Sequence, residues 1–290
     1  MKFNLYDDVK SYYRDTYETL MRHEAQNLIP LGNIIIGNAG KDKTGWRDPA
    51  NWFMSTVTDN DKIVLIACMT PPNNITPYAV DNKINDEALA CLVKGICGTS
   101  FTVPGILSEK NLAERFAKNW AAEKGINYHI HKDMRIYELV KVNPEIPLLG
   151  TLRLVEEKDM PFLPFWVEGF GHDCFGDKIA PGSDPEPYRY NITKKSLFVL
   201  EHEGMPVSMA SKNREMQTVC GVGQVYTPPY FRHKGYASSC VAGVSRLILE
   251  KGFKKCVLYT DLANPISNNI YQKIGYVPIC DASDIKFQET

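Results

Sequence analysis

Apolar positions recur along this chain in two rhythms, one of three to four residues and one of two, and their alternation predicts the order of elements. Residues 6–38 read as two helices: DDVKSYYRDTYETLMRHE opens with acids, and AQNLIPLGNIIIG closes near a glycine. WFMSTVTDNDKIVLIACM places apolar runs on both sides of the turn formers Thr58, Asp59, Asn60 and Asp61, which predicts a hairpin. NDEALACLVKGI then reads as a helix and GTSFTVPG as a short strand. In SEKNLAERFAKNWAAEKG, Ser108 stands where a helix cap belongs and Gly125 where a helix ends. Leu112, Phe116 and Trp120, flanked by Ala113, Ala117 and Ala121, form its core stripe. MRIYELVKV alternates as a strand, and the prolines and glycine after it mark a linker at residues 143–150.

Beyond the linker the order of elements repeats. TLRLV is a strand, EKDMPFLPFWVEGFGHDC an irregular helical stretch and SDPEPYRYNITKK a short helix. SLFVLEHEGMPVSMASKN is a hairpin turning at Glu203 and Gly204. EMQTVCGVGQVYT is a strand feeding a helix over about residues 233–250, KKCVLYTD a strand, NPISNNIYQKIG a helix and YVPICDASDIKFQ a final strand. Two halves with one order of elements and little shared lettering point to a weak internal duplication.

Composition narrows the function. A chain of 290 residues, 44% hydrophobic and 23% charged, can bury the cores of two globular domains. A net charge of −1 without any Lys/Arg block argues against nucleic acid or anionic membranes as partners. The longest apolar stretch, NLIPLGNIII, is too short to span a bilayer, and no leader pattern opens the chain, so a cytoplasmic location is expected. The eight cysteines contain no C-x-x-C pair and read as reduced thiols. His129 and His131 lack further ligands at suitable spacing, so no metal is expected. GHDC at residues 171–174 sets a histidine, an acid and a thiol too close in sequence to face one another. The phosphate-loop patterns G-x-x-x-x-G-K-[ST] and G-x-G-x-x-G are absent.

The stretch with chemistry in it is VYTPPYFRHKGYASSC, residues 225–240. A helix that starts just after a strand presents unpaired N–H groups and the positive end of its dipole, which favours an anion. Arg232 and Lys234 add charge, and Gly235 allows close approach to the backbone. Pro228 and Pro229 cannot continue a ladder, so the strand must end or turn away near Thr227, opening a gap beside the anion site. The following helix buries Ala237, Cys240, Val241, Val244, Leu247 and Ile248 on one face. Further on, Asn264, Pro265 and Gly275 delimit a helix whose buried side is expected to be Ile266, Ile270 and Ile274, with Asn264, Ser267, Asn268 and Tyr271 on an adjacent polar face.

With both motifs present, VYTPPYFRHKGYA and NPISNNIYQKIGY, residues 196–287 resemble the GNAT superfamily of N-acetyltransferases. The resemblance implies an α/β (α+β) chain of two tandem GNAT-like domains, each a mixed, mostly antiparallel twisted sheet flanked by helices: residues 1–143 degenerate, and residues 150–290 acetyl-CoA-binding, with a splayed strand pair. It implies that the backbone of Val225, Tyr226 and Thr227 pairs with the pantetheine arm. The N–H groups of His233, Lys234, Gly235, Tyr236 and Ala237 would hold the pyrophosphate beside Arg232, and Asn264 and Asn268 would face the cofactor. Tyr271 matches the general-acid tyrosine. In the first half, PYAVDNKIND before the corresponding helix offers one cation and no glycine, so that half is expected to act as a packing partner and a wall of the acceptor site rather than bind acetyl-CoA.

The general base is chosen from Glu168, His172, Asp173, Glu201, His202, Glu203 and Glu215, with Glu168 first because Phe165, Trp166 and Phe170 flank it with apolar surface. The expected activity is direct acetyl transfer from acetyl-CoA to the amine of a small molecule or peptide by a monomer or homodimer. The alternative is a non-catalytic sensor or interaction protein that binds acyl-CoA without turnover, its first half contacting a partner.

Overall fold

The computed structural model describes residues 1–40, 47–176, 178–182 and 184–288. The chain forms two compact units: one takes Met1–Ile136, Thr260–Asn264 and Pro278 onward, the other Tyr137–Tyr259 and Pro265–Val277. This division differs from a single cut at residues 143–150, because three long strands each begin in one unit and end in the other.

In the first unit the order is β1 (Lys2–Tyr6), α1 (Val9–Met21), α2 (Leu28–Ala39), β2 (Phe53–Asp59), β3 (Lys62–Met69), β4 (Thr76–Ala79), α3 (Asp86–Cys97), β5 (Gly105–Glu109), α4 (Lys110–Lys124) and most of β6 (Asn127–Leu139). Strands β1-β2-β3-β4 form an antiparallel sheet in that order. The hairpin turns where predicted, with Asn60 and Asp61 both at positive φ, the twist a two-residue turn requires. Helix α1 starts at Asp8, whose carboxylate accepts from the Lys10 and Ser11 amides, and it buries Tyr12, Thr16 and Leu20 along one stripe.

Three expectations change here. The strand predicted over GTSFTVPG begins only at Gly105 and runs to Glu109, pairing with β12 (Val277–Gln288), because Pro104 has no N–H to give a ladder. Glu109 rather than Ser108 caps α4, accepting from Asn111 and Leu112, while Ser108 lies in the strand and donates to the Pro77 carbonyl. Strand β4, which the sequence reading missed, contains Pro77 and sits at the sheet edge, where a proline is tolerated. The core gathers Phe53, Leu65, Leu89, Leu112, Phe116, Trp120 and Ile285.

The second unit runs β7 (Thr151–Leu154), α5 (Leu163–Phe175), α6 (Glu186–Thr193), β8 (Leu197–His202), β9 (Met205–Asn213), β10 (Val219–Tyr226), α7 (Tyr236–Glu250), β11 (Lys255–Asp261) and α8 (Pro265–Ile274). Strands β7-β8-β9-β10-β11 are neighbours in that order, antiparallel except for β10 and β11. A parallel pair needs a crossover, and α7 supplies it. On one face Cys220, Val222, Cys256 and Leu258 pack with Cys240, Val244 and Ile248 of α7 and Tyr271 and Ile274 of α8. On the other, Leu197, Val199 and Met209 pack with Leu163 and Trp166 of α5 and Tyr188 of α6.

Candidate active site

The site begins where β10 and β11 part. Their parallel ladder pairs Val219 with Lys255, Cys220 with Cys256 and Gly221 with Val257, and goes no further, although β10 continues to Tyr226 and β11 to Asp261. On its other edge β10 bulges against β9: the register passes from Gly223 and Ser211 to Tyr226 and Met209, with Gln224 at φ 48°. Gln224 and Val225 therefore stand outside both ladders, and backbone groups that no strand takes are available to a ligand. Pro228 and Pro229 alone suggested a break near Thr227; the opening starts earlier, at the Gly221 row.

Next comes the turn into α7. A short 3-10 turn, Pro229–Phe231, is followed by His233 at φ 63° and Gly235 at φ 83°, two left-handed residues around Lys234. The helix starts at Tyr236 rather than His233, because those two conformations cannot belong to it. Gly235 occupies the cap position and brings no side chain to it, so the first-turn amides lack the usual Ser, Thr, Asp or Asn partner. His233, Lys234 and Gly235 are exposed. The matching helix of the first unit, α3, is built the opposite way: Asn85 caps it by accepting from Glu87 and Ala88, and Asp86 and Glu87 put negative charge in its first turn. One helix start leaves its amides without a side-chain partner, and the other fills that place with a carboxamide and negative charge.

Arg232 does not project freely toward a phosphate. Its Nε donates to the Thr227 carbonyl at 2.9 Å, its Nη2 donates to Asp173 Oδ2 at 2.6 Å, and the guanidinium lies 5.8 Å from the Tyr226 ring centre. It ties the end of β10 to the end of α5 and so fixes the loop. Ser208 Oγ donates to the Tyr226 carbonyl at 3.2 Å and lies 2.8 Å from Thr227 Oγ1, holding the same segment from β9. Tyr226 itself turns toward α5, against Trp166 and over Gly169, where any Cβ would stand 2.5 Å from the phenolic oxygen.

Helix α8 lies in the core differently from the expected stripe. Ile266 is 59% exposed, whereas Tyr271 and Ile274 are buried. The helix is thus rotated so that Tyr271 faces inward, which the recurrence of isoleucines concealed. Burial pushes the Tyr271 phenol above its ordinary pKa, and the neighbouring Cys174 thiol of α5 adds to the effect. Asn268 is half-buried and accepts a hydrogen bond from the Tyr137 hydroxyl at 3.0 Å, while Gln272 donates to the same hydroxyl. Asn264 precedes the helix, its amide bonded to the Asp261 carbonyl.

Of the candidate bases, Asp173, Glu201 and Glu215 are held by Arg232, Arg153 and Lys212 respectively. Glu203 is exposed at the hairpin turn, His202 Nδ1 is 2.8 Å from the Leu149 carbonyl oxygen, and His172 is exposed on α5. Glu168 is half-buried and accepts from the Tyr188 hydroxyl at 3.0 Å, next to the glycine that packs on Tyr226. Phe165, expected to shelter it, is 57% exposed, and the aromatic group in contact with Glu168 is Tyr188 of α6.

None of the eight cysteines forms a disulfide, and burial pushes the thiols of Cys68, Cys220, Cys240, Cys256 and Cys280 up to about 12, too high for nucleophiles near neutral pH. Among the described residues no three His, Cys, Asp or Glu side chains gather as a metal site, and no helix is long and apolar enough to cross a membrane.

Comparison with known proteins bears on the fold. Residues 203–283 match the model of the FR47-like protein family. The whole chain shares its fold with solved GNAT structures. A GCN5-related N-acetyltransferase from Sphaerobacter thermophilus aligns over 99% of this chain and 95% of its own, at TM-score 0.61 and 12% identity. A GNAT-family acetyltransferase from Colwellia psychrerythraea aligns over 100% of both chains, at TM-score 0.55 and 12% identity. A Drosophila protein aligns over 99% of this chain and 98% of its own, at TM-score 0.69 and 12% identity. No curated protein matches the sequence.

Proposed function

We propose that the second unit is an acetyl-CoA-dependent N-acetyltransferase that passes the acetyl group directly to a primary amine. The observation that carries this reading is the ladder of β10 and β11 stopping at Gly221 and Val257 beside a helix start without a side-chain cap. Acetyl-CoA bound there supplies a thioester whose C–S bond breaks as the C–N bond to the amine forms.

The chain's own residues divide the work. The amides from His233 to Ala237, gathered by two left-handed residues, suit a pyrophosphate, and Lys234 adds an exposed charge. Val225, Tyr226 and Thr227 form the strand edge along which a pantetheine arm would pair. The bulge at Gln224 leaves amide groups of the strand outside the ladder with β9, and an amide facing the opening would bond an oxygen that gains charge. Tyr271 keeps its proton at neutral pH, since its pKa is raised, and can donate it to the leaving sulfur. Glu168 is the group proposed to take a proton from the amine, through water. Asn268 acts through Tyr137 to fix α8, which makes it a positioning residue.

Calorimetry with acetyl-CoA, together with detection of free CoA over a panel of amines, tests the proposal. Binding with CoA release supports it; binding with no release on any amine supports the sensor instead, and no heat of binding removes both.

A further inference from the structure

On the α5 side of the sheet, at the closed end of the opening, lies a group of polar side chains that the transfer chemistry does not use. Strand alternation places Ser211 and Asn213 of β9, Gly221 and Gly223 of β10, and Val257 and Tyr259 of β11 on this face. The two glycines make room: a Cβ on Gly221 would stand 2.2 Å from Asn213 Oδ1, and one on Gly223 2.8 Å from Asn213 Nδ2 and 3.8 Å from Ser211 Oγ. Ser211 is 1% exposed, and its hydroxyl has no hydrogen-bond partner among the described residues.

Arg214, which follows at φ 42°, is less expected still. Its Nε is buried without a partner, and Tyr259 is the titratable group that acts on it; no described carboxylate does. Burial pushes the guanidinium's pKa down, while the residue keeps some accessible surface. A side chain mostly enclosed by protein, on a residue that still reaches solvent, would form the floor of a recess on the α5 side. Leaving a buried cation without a counter-charge is costly for folding, and no carboxylate among the described residues offsets it. Tyr259 lies two residues past the last paired position, so the charge sits at the apex of the gap. From that row to the bulge at Gln224 is roughly 10 Å at the rise of a strand.

We infer that this recess binds the acceptor and selects a primary amine that carries a carboxylate, with Arg214 and Ser211 receiving the carboxylate and the amine directed toward the bulge. The inference rests on the reading of the second unit as an amine acetyltransferase, but its test can be read without turnover. A planar guanidinium matches a carboxylate in two hydrogen bonds, and a site built around such a group discriminates strongly against ligands that lack it.

Glycine, β-alanine and 4-aminobutanoate would be compared with methylamine, ethylamine and propylamine, their decarboxylated counterparts, by calorimetry with and without CoA. The native protein should bind at least one carboxylate roughly 10- to 100-fold more tightly than its counterpart, the range expected for hydrogen bonds to a charged group. Arg214→Met should bring that ratio close to one without lowering Tm, because it removes an uncompensated charge, and Arg214→Lys should keep part of the preference. Failure of all three carboxylates to bind, equal binding of each pair, or a preference retained in Arg214→Met would overturn the inference. Absence of heat with acetyl-CoA would instead remove the transferase reading, and the amine comparison would still decide whether the recess selects carboxylates.

Discussion

At the scale of single residues, burial bears on both the general-acid role proposed for Tyr271 and the structural role of Arg153. A general acid must hold its proton until the leaving group needs it, and the buried phenol of Tyr271 does so at any pH below its raised pKa. Tyr271→Phe should therefore lower kcat by about 10²–10⁴-fold while leaving acetyl-CoA affinity intact. An unchanged turnover would take the residue out of the mechanism. Arg153 carries fold rather than chemistry: it donates to both oxygens of Asp159, which is 2% exposed, and to Glu201. Arg153→Met leaves that carboxylate buried and unpaired, and should cost about 3–5 kcal/mol in urea unfolding. Burial alone would raise the Asp159 carboxyl, but the Arg153 guanidinium and the Glu156 N–H outweigh it and hold it below the usual range. Its contribution is thus complete above about pH 4, the ordinary carboxylate value, and is lost as pH falls through the lower folded value. Arg153→Met should accordingly show a smaller loss of stability between neutral and acid pH than the native protein. None of this pair was legible in the sequence, where Arg153 is one letter of a short strand and Asp159 one of several acids after it.

At the scale of elements, the caps and turns were the most legible features, because each follows from a few neighbouring letters. Both hairpins turn where the acidic and glycine residues place them, and Gly125 ends α4 in the left-handed conformation. The start of α7 was read within three residues, since a glycine in a basic stretch does not itself say which residue first takes helical angles. Gly235 tests that element directly. At φ 83° an alanine is strained by about 1–2 kcal/mol, and its Cβ would stand 3.2 Å from Leu149 Cδ1. Gly235→Ala should lower Tm modestly and weaken acetyl-CoA binding by more than about ten-fold, as the amides it orients move out of register. Equal affinity would mean that the helix start does not hold the pyrophosphate. The rotation of α8 was not legible for a different reason. Three isoleucines spaced by four make a convincing stripe, but which stripe faces the core depends on what the sheet offers, and Tyr137 of β6 offers a hydrogen bond to Asn268 and a ring for Tyr271 to pack against. The bulge at Gln224 was equally hidden, since nothing in VGQVY distinguishes a bulged strand from a regular one.

At the scale of the whole molecule, the repeat of element order and the linker at residues 143–150 suggested two tandem domains divided at one point, yet the chain completes each unit with strand segments from the other half of the sequence. Long-range pairing of this kind leaves no local signature, because the last strand reads the same whichever neighbour it joins. The consequence is concrete. Ile285 of β12 is fully buried in the first unit's core, and Asp281 receives two hydrogen bonds from Arg135, at 2.6 and 2.9 Å. Tyr137, Leu139 and Val142 in turn belong to the core of the second unit. A fragment of residues 1–143 would lack Ile285, the partly buried Phe287 and the five-residue pairing of β12 with β5, and a fragment of residues 150–290 would lack those three side chains; each buried side chain is worth about 1.5–3 kcal/mol. Since a domain's net stability is only about 5–15 kcal/mol, neither fragment should show a cooperative thermal transition by circular dichroism alone. Co-expression of the two should restore one if the strands can still find their places. A fragment of residues 150–290 that melts cooperatively and binds acetyl-CoA as tightly as the full chain would show instead that the second half is complete without the residues that precede its linker.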